Sequence, residues 1–195
     1  IDPEGGFTLI DLSSGPQDAT VTQIALTGID VPTGARIIKP GQSFAADAEP
    51  EYVAFSADGT MAYATLQENN AIALIDIAAK KVTNIVGLGV KNVSRMSHDM
   101  SNKDDGINMR RWPVLMMYQP DALATYEVNG ATYLVTANEG DAKDYDGFSE
   151  ETRVAKLTLD PTMFPNAEEL QKPENLGRLK TTTTMGDTDG DGDHD

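Results

Sequence analysis

A run of acidic residues closes the sequence: "MGDTDGDGDHD" (185–195) places aspartate at every second position from 187 to 195. Calcium takes about six to eight hard oxygen ligands, and alternate carboxylates around a glycine turn can point inward toward one ion. The run matches the start of a calcium loop, whose odd positions are filled by Asp187, Asp189, Asp191, Asp193 (through its carbonyl) and Asp195, with Gly192 at the turn. We therefore predict an ordered calcium loop in a β setting; the alternative is a solvated acidic end.

Two other acidic stretches are weaker candidates for a cation site. The stretch "NEGDAKDYDGFSEE" (138–151) offers Glu139, Asp141, Asp144 and Asp146. It could bind a second cation, form an acidic rim over a binding surface, or remain a solvated loop. The stretch "SHDMSNKDDGIN" (97–108) offers Asp99, Asp104 and Asp105 and is the weakest of the three candidates.

The sequence contains few groups suited to catalysis. Its two histidines, His98 and His194, do not have zinc-ligand spacing, and neither a Gly-x-Ser-x-Gly elbow nor a glycine-rich phosphate loop occurs. His98 stands beside an aspartate and could act as a base. Arg110 and Arg111 could pair with phosphate oxygens, or they could be a solvated basic doublet.

One aromatic group could bind a sugar. Trp112 is followed by Pro113 and, a little later, by Tyr118, so these residues could form a stacking platform for surface glycans. The more ordinary interpretation is a packed joint between structural repeats, because buried aromatic rings are common core residues.

Composition restricts the class of partner. The 195 residues include 31 acidic and 15 basic side chains, which gives a formal net charge of −16 and argues against nucleic acid or an anionic membrane as a ligand. Cysteine is absent, which excludes disulfides and thiolate metal sites. No apolar run approaches the roughly 20 residues of a membrane span. The start at Ile1-Asp2, with neither Met nor a signal peptide, suggests a piece of a longer chain.

The elements that must position these residues are short strands. Residues 49–89 contain four alternating apolar runs, at 52–55, 61–65, 71–77 and 82–86, with a glycine turn at 57–60 and the polar turn "QENN" at 67–70. Four strands in about 40 residues is the size of one β-propeller blade.

The same pattern begins again further along the chain. Pro50 to Tyr63 and Pro120 to Tyr133 are each thirteen residues apart, and Asn129-Gly130 is a strong hairpin signal. The third strand of this second copy is predicted at 153–159. The resulting organisation begins with a blade end (1–30), a blade (49–89), an irregular insertion (90–118) and a second blade (119–160). Residues 161–184 follow and contain a short helix near Asn166 and a strand at 179–184. The Asp-rich calcium loop (185–195) comes last.

This organisation predicts an all-β chain covering part of a β-propeller, which would have about seven blades when complete. Propellers need about four to eight blades, so the predicted copies cannot close a ring. Exposed end blades normally pack on neighbours. We therefore expect the remaining blades of the same propeller as partners, and we expect the following blade to hold the far end of the Asp loop.

Several segments give the chain a family resemblance. In order they are "PEGGFTLIDLS", "EPEYVAFS", "LQENNAIALIDI", "INMRRWPVLMMYQPDALATY", "YLVTANEGDAKDYDGFSEETRV" and "GDTDGDGDHD". The chain resembles the choice-of-anchor I family of exported or surface propellers, which includes the mesenchyme-specific cell surface glycoprotein group. Some members accompany phosphatase domains. The resemblance leads us to expect an aspartate near position 102, where Asn102 stands, and this weakens a metal site in that loop.

Two functions remain open at this point. The first is a calcium-binding, secreted or cell-surface propeller with a binding or scaffolding role toward surface glycans or proteins. The alternative is a calcium-dependent phosphoesterase, similar to an alkaline phosphatase or phytase, in which carboxylate-bound calcium polarises phosphate. The first is favoured because the sequence offers no recognisable nucleophile.

Overall fold

A computed structural model describes residues 3–195, and antiparallel strands form most of its regular structure. The strands are β1 (Gly6–Asp11), β2 (Thr20–Ala25), β3 (Pro50–Phe55), β4 (Met61–Leu66), β5 (Ala71–Asp76), β6 (Lys81–Gly87), β7 (Val90–Asn92), β8 (Leu115–Met117), β9 (Pro120–Val128), β10 (Ala131–Asn138), β11 (Asp144–Tyr145), β12 (Phe148–Ser149), β13 (Glu151–Arg153) and β14 (Lys180–Thr182). With 38% of residues in strands and 9% in helices, the predicted all-β class is confirmed.

Helical structure is confined to short segments. They are α1 (Phe44–Asp47), α2 (Ala167–Leu170) and 3-10 turns at Pro16–Asp18, Val93–Arg95 and Val154–Lys156. In the described residues no helix is long and apolar enough to cross a membrane. The first two residues of the predicted blade end 1–30 lie outside the described part of the chain.

The four strands predicted within 49–89 form one antiparallel sheet. Its order is β3-β4-β5-β6, so each strand pairs with the next one along the chain. The Asp58 carboxylate closes the first turn by accepting hydrogen bonds from Ser56 Oγ (2.7 Å) and the Thr60 amide (3.0 Å). Gly59 has φ +70° there, a conformation that glycine adopts without steric cost. Local turn chemistry and alternating apolar residues therefore produce this meander.

In the second predicted copy, only the first two strands pair with each other in a sheet. β9 and β10 form a hairpin through Asn129 (φ 52°) and Gly130 (φ 77°), as the Asn-Gly signal predicts. The predicted third strand at 153–159 is wrong beyond Arg153, because the chain turns there into a 3-10 helix. The cause is tertiary: Gln171 Nε2 donates to the carbonyls of Val154 (2.9 Å) and Leu157 (2.7 Å), which a strand would have used in a ladder.

The chain folds into two compact units, each with its own core. The first unit comprises the residues up to Val90 together with Met117–Asp141. Its core is formed by apolar residues of β2, α1, β4, β5 and β6 and by the residues directly after β2 and α1: Ile24, Leu26, Phe44, Ala45, Ala48, Ala62, Ala64, Leu66, Ala71, Ala73, Ile75 and Ile85. Within this unit the Thr125 hydroxyl of β9 donates to the Phe55 carbonyl of β3 (2.6 Å), which joins the hairpin to the four-stranded sheet.

The second unit comprises Lys91–Met116 and Ala142–Asp195. Its core contains Val93, Trp112, Val154, Leu170 and Leu176. Trp112 is buried in this core and donates its indole N–H to the His98 carbonyl (3.0 Å), so its ring is packed. Tyr118 belongs to the first unit and is exposed.

Other sequence-based boundaries in the second unit shift. The predicted helix is α2, with Asn166 at its N-cap position but without a side-chain capping bond. The predicted strand at 179–184 shortens to β14, which pairs with β13. The predicted irregular stretch 90–118 has regular structure only in the short β7 and β8 at its ends and in the 3-10 turn that follows β7.

Gly177 provides a sensitive test of packing in the second unit. A Cβ at this position would lie 2.1 Å from the Gln171 carbonyl oxygen, so Gly177→Ala must displace backbone and is expected to lower the free energy of unfolding by about 1–3 kcal/mol. Trp112, the single tryptophan, lies in the same core and reports urea unfolding by fluorescence. The matched control is Gly106→Ala, whose Cβ would meet nothing closer than 3.9 Å. Equal stabilities for the two variants would contradict the described packing.

Candidate metal centre

The Asp run at 185–195 is a closed loop held at both ends within the second unit. Its first end follows β14, and the amide of Asp195 returns to donate to the Gly186 carbonyl (2.8 Å). Its far end pairs with the segment at 158–160: the His194 amide donates to the Thr158 carbonyl (2.9 Å) and the Asp160 amide to the His194 carbonyl (3.0 Å). An earlier segment of the same unit therefore holds the far end, for which the sequence led us to expect a following blade.

Inside the loop, aspartate side chains cap backbone amides. Asp187 accepts from the amides of Gly190 (2.6 Å) and Gly192 (3.1 Å). Asp189 accepts from the Asp191 amide (3.2 Å), and Asp191 in turn accepts from the Asp193 amide (3.1 Å). These short-range bonds curl the chain, and the carboxylates of Asp187 and Asp189 lie near that of Asp195.

The curl gathers carboxylates into two groups that share Asp195. One group is Asp187, Asp189 and Asp195, and the other is Asp160, Asp193 and Asp195; within each, one carboxylate oxygen per residue lies within 4.8 Å of the others. Asp191 belongs to neither group. Asp160 was missed by sequence reasoning, because it lies 33 positions before Asp193 and only the pairing of its segment with His194 brings it near.

The cluster of Asp160, Asp193 and Asp195 is electrostatically unfavourable without a cation. Burial raises the pKa of Asp193, and the neighbouring carboxylates of Asp191 and Asp160 raise it further. Asp193 Oδ1 and both ring nitrogens of His194 are buried and have no hydrogen-bond partner among the described residues. By contrast, hydrogen bonds from the Thr188 hydroxyl and amide lower the pKa of Asp195. The arrangement therefore offers several hard oxygens for a divalent cation, and one of them, Asp193 Oδ1, is unsatisfied.

The acidic stretch at 138–151 is not gathered into one group. Glu139 and Asp141 belong to the first unit, whereas Asp144, at the start of β11, and Asp146, in the turn before β12, belong to the second. Glu150 is fully buried and has a structural role, since its carboxylate accepts from the Lys143 amide (3.1 Å) and from the Thr182 hydroxyl.

The stretch at 97–108 also lacks a compact carboxylate group. Asp104 accepts from the side-chain amide of Asn108 (2.7 Å), and Asp105 has a left-handed backbone with φ 55°. Asp99, Asp104 and Asp105 do not form a three-ligand group in the part of the chain that the structure describes. Asn102, which replaces the expected aspartate, accepts from Arg178 Nε (2.9 Å) and so fixes the loop instead.

Of the residues considered for phosphate chemistry, Arg110 and His98 contact neighbouring side chains, and Arg111 is exposed. The Arg110 guanidinium lies 4.8 Å from the ring centroid of Trp112, a cation–π geometry. His98 lies in a short bridge with Arg110, and its Nε2 is 3.1 Å from Lys91 Nζ. Arg110 therefore rests on an indole face, and His98 faces a lysine ammonium.

Comparison with known proteins gives one match. The family model for the choice-of-anchor I domain matches residues 1–195, which is the full sequence and the family indicated by the motifs. No curated protein and no solved structure matches the chain. The chain belongs to the choice-of-anchor I domain family.

Proposed function

We propose that this chain is a calcium-binding part of a secreted or cell-surface β-propeller with a binding or scaffolding role. Its family implies a surface-associated protein. The proposal rests on one observation: two clusters of three carboxylates, which have Asp195 in common, lie at the end of a closed loop. Carboxylate and carbonyl oxygens are the ligands that calcium prefers.

In the proposed site, Asp187, Asp189 and Asp195 supply the first oxygens. Asp191 and the Asp193 carbonyl complete the shell when the ion binds, and Asp160 adds negative charge beside Asp193 and Asp195. The repulsion among these carboxylates is only partly screened by physiological salt, so a divalent ion stabilises the curled loop. Neutral side chains of the loop, such as Thr188, do not supply the positive charge that would offset this repulsion.

The propeller part of the proposal is supported by the first unit. The β3-β4-β5-β6 meander has the size and order of one blade, and the hairpin β9–β10 repeats its opening. Large apolar side chains on these strands are exposed, including Phe55 (54%), Tyr126 (48%) and Val135 (55%). Further blades of the same propeller would cover such faces, as neighbouring repeats do in stacked folds.

Calcium titration tests the proposed site. At a free calcium concentration of about 100 times the Kd, a single site stabilises the folded chain by about 2.7 kcal/mol, which corresponds to a rise in Tm of roughly 5–10 °C. Asp195→Asn and Asp187→Asn are expected to abolish the part of the rise that this site contributes. Glu168→Gln, an exposed acid of α2, is the control and should respond to calcium as the parent chain does.

Two results would contradict the calcium proposal. One is an unchanged Tm when calcium replaces excess chelator in the parent chain. The other is an equal calcium response in the Asp195→Asn and Glu168→Gln variants, which would place the stabilising ion elsewhere. Differential scanning calorimetry measures both results on the full chain.

A further inference from the structure

The turn between β4 and β5 is polar in sequence but buried in the first unit. Its four residues, Gln67–Asn70, are each no more than 6% exposed. Glu68 differs from its neighbours because its Oε2 is buried without a hydrogen-bond partner among the described residues. A buried carboxylate oxygen that lacks a partner is costly in free energy, so Glu68 requires an explanation.

Two acids of the β3 segment lie beside this turn. Pro50 pairs with Leu66, and the register shifts between Pro50 and Val53, so Glu51 lies in an irregularity of the strand. The Glu49 amide donates to Asn69 Oδ1 (3.3 Å), which fixes that part of the backbone next to the turn. Both carboxylates are therefore carried close to Glu68.

A second acidic segment approaches the turn from beyond β10. Gln67 Nε2 lies 3.5 Å from Glu139 Oε2 and 3.5 Å from the Gln119 carbonyl. Gln119 in turn donates its side-chain amide to the Asp141 carbonyl (2.6 Å). Glu139 and Asp141 are thus tied to the turn through two buried glutamines.

The raised pKa values of two acids at the turn agree with the close approach of these acidic segments. Burial raises the pKa of Glu68 to about 7, and the charges of Glu49, Glu51 and Asp141 act in the same direction. Burial likewise raises the pKa of Glu51, together with the charges of Asp121, Asp141, Glu49 and Glu139. Arg36 is the nearby cation, and its Nε donates to the main-chain carbonyl of Glu68 (2.8 Å).

We propose that Glu68 is the fixed ligand of a second divalent-cation site, of the calcium class, completed by carboxylates from Glu49, Glu51, Glu139 and Asp141. The four partners are exposed, whereas Glu68 is held by the buried turn. In the described residues no three of these five carboxylates have oxygens within 4.8 Å of one another, so binding must draw the exposed side chains inward toward Glu68. A bound cation provides the partner that Glu68 Oε2 lacks, and it cancels the repulsion between acids of separate segments.

This site is independent of the Asp loop, and calorimetry can separate the two. The experiment is isothermal titration of the chelator-treated full chain with Ca²⁺ at pH 8. Compared with the parent chain, we expect Glu68→Gln to show one fewer binding event, or an affinity at least tenfold weaker for one event. Glu127→Gln, an exposed acid of β9 in the same unit, is the matched control and should bind as the parent chain does. Asp195→Asn should remove only the event that belongs to the loop.

A local measurement shows where the ion binds. In the parent chain, Ca²⁺ is expected to slow amide hydrogen exchange in peptides covering 62–76, and Glu68→Gln should lose that slowing while keeping the exchange pattern of the free protein. The proposal is overturned if Glu68→Gln binds the same number of ions with the same affinity. It is also overturned if Glu127→Gln loses the same binding event, or if calcium leaves exchange in 62–76 unchanged.

Discussion

Asn70→Ala is expected to lower the free energy of unfolding of the first unit by about 3–5 kcal/mol. The Asn70 side chain donates to the carbonyls of Gly34 (3.1 Å) and Gly89 (2.7 Å), and it accepts from the amides of Tyr118 (2.9 Å) and Gln119 (3.0 Å). Removing it takes a partner from four backbone groups in a region where Asn70 itself is 2% exposed, and of these the Gly34 carbonyl still accepts from the Gly89 amide (2.9 Å). Each buried group left unsatisfied costs about 1–3 kcal/mol, reduced where water can enter.

The backbone of Asn70 contributes a smaller, separable term. Its φ is +54°, in the left-handed region that asparagine tolerates better than alanine does. Asn129 has nearly the same φ (+52°) in the same unit but is exposed in the β9–β10 turn, so Asn129→Ala isolates the backbone cost. We expect urea unfolding followed by far-UV circular dichroism to show a loss of only about 1 kcal/mol for Asn129→Ala. Equal losses in the two variants would mean that the four hydrogen bonds of Asn70 contribute nothing measurable.

Glu68→Gln is expected to remove a pH dependence from the stability of the cation-free chain. The pKa of Glu68 is about 7 in the folded chain, against an ordinary value of 4.5, because the side chain is buried. The folded state therefore retains this proton while the unfolded state loses it, so the stability contribution is fully present below pH 4.5. It is lost as the pH rises from about 4.5 through 7. A shift of this size corresponds to about 3 kcal/mol.

The difference between the variant and the parent chain isolates this term from the other carboxylates. In the presence of chelator, the free energy of unfolding of Glu68→Gln relative to the parent should increase by about 3 kcal/mol between pH 4 and pH 8. Urea unfolding at steps of half a pH unit measures it. The same difference for Glu127→Gln should stay flat. A flat difference for Glu68→Gln would show that Glu68 ionises normally in the folded chain.

Sequence reasoning predicted the parts of this fold that depend on local pattern. The strands between Pro50 and Gly87 follow from alternating apolar residues separated by glycine and polar turns, and Asn129-Gly130 identified the second hairpin. Such signals act over a few residues, so they can be read without knowing what packs against them. The aspartates of the terminal loop were identified for the same reason, since their spacing is itself the signal.

What could not be predicted depends on segments that are distant in the chain. The "QENN" turn was identified from the sequence only as a polar turn, and its burial comes from segments near Gly34, Gly89 and Tyr118. Asp160 joins the loop carboxylates only through the pairing of Leu159 with His194. The strand predicted after Arg153 is replaced by a turn because Gln171, the residue directly after α2, donates hydrogen bonds to its carbonyls.

The bonds of Asn70 also determine when the first unit can be completed during synthesis. Tyr118 follows Asn70 by 48 residues, and at a translation rate of about 5–20 residues per second that distance takes roughly 2–10 s to emerge from the ribosome. Throughout this interval the side chain of Asn70 lacks the two amides that it will later bind, whereas β5 and β6 are synthesised early in the interval, directly after Asn70. The nascent chain therefore passes through a stage in which the β3–β6 sheet has been synthesised but the segment that contains Tyr118 and Gln119 has not. Chaperones that bind exposed strands would have several seconds in which to act.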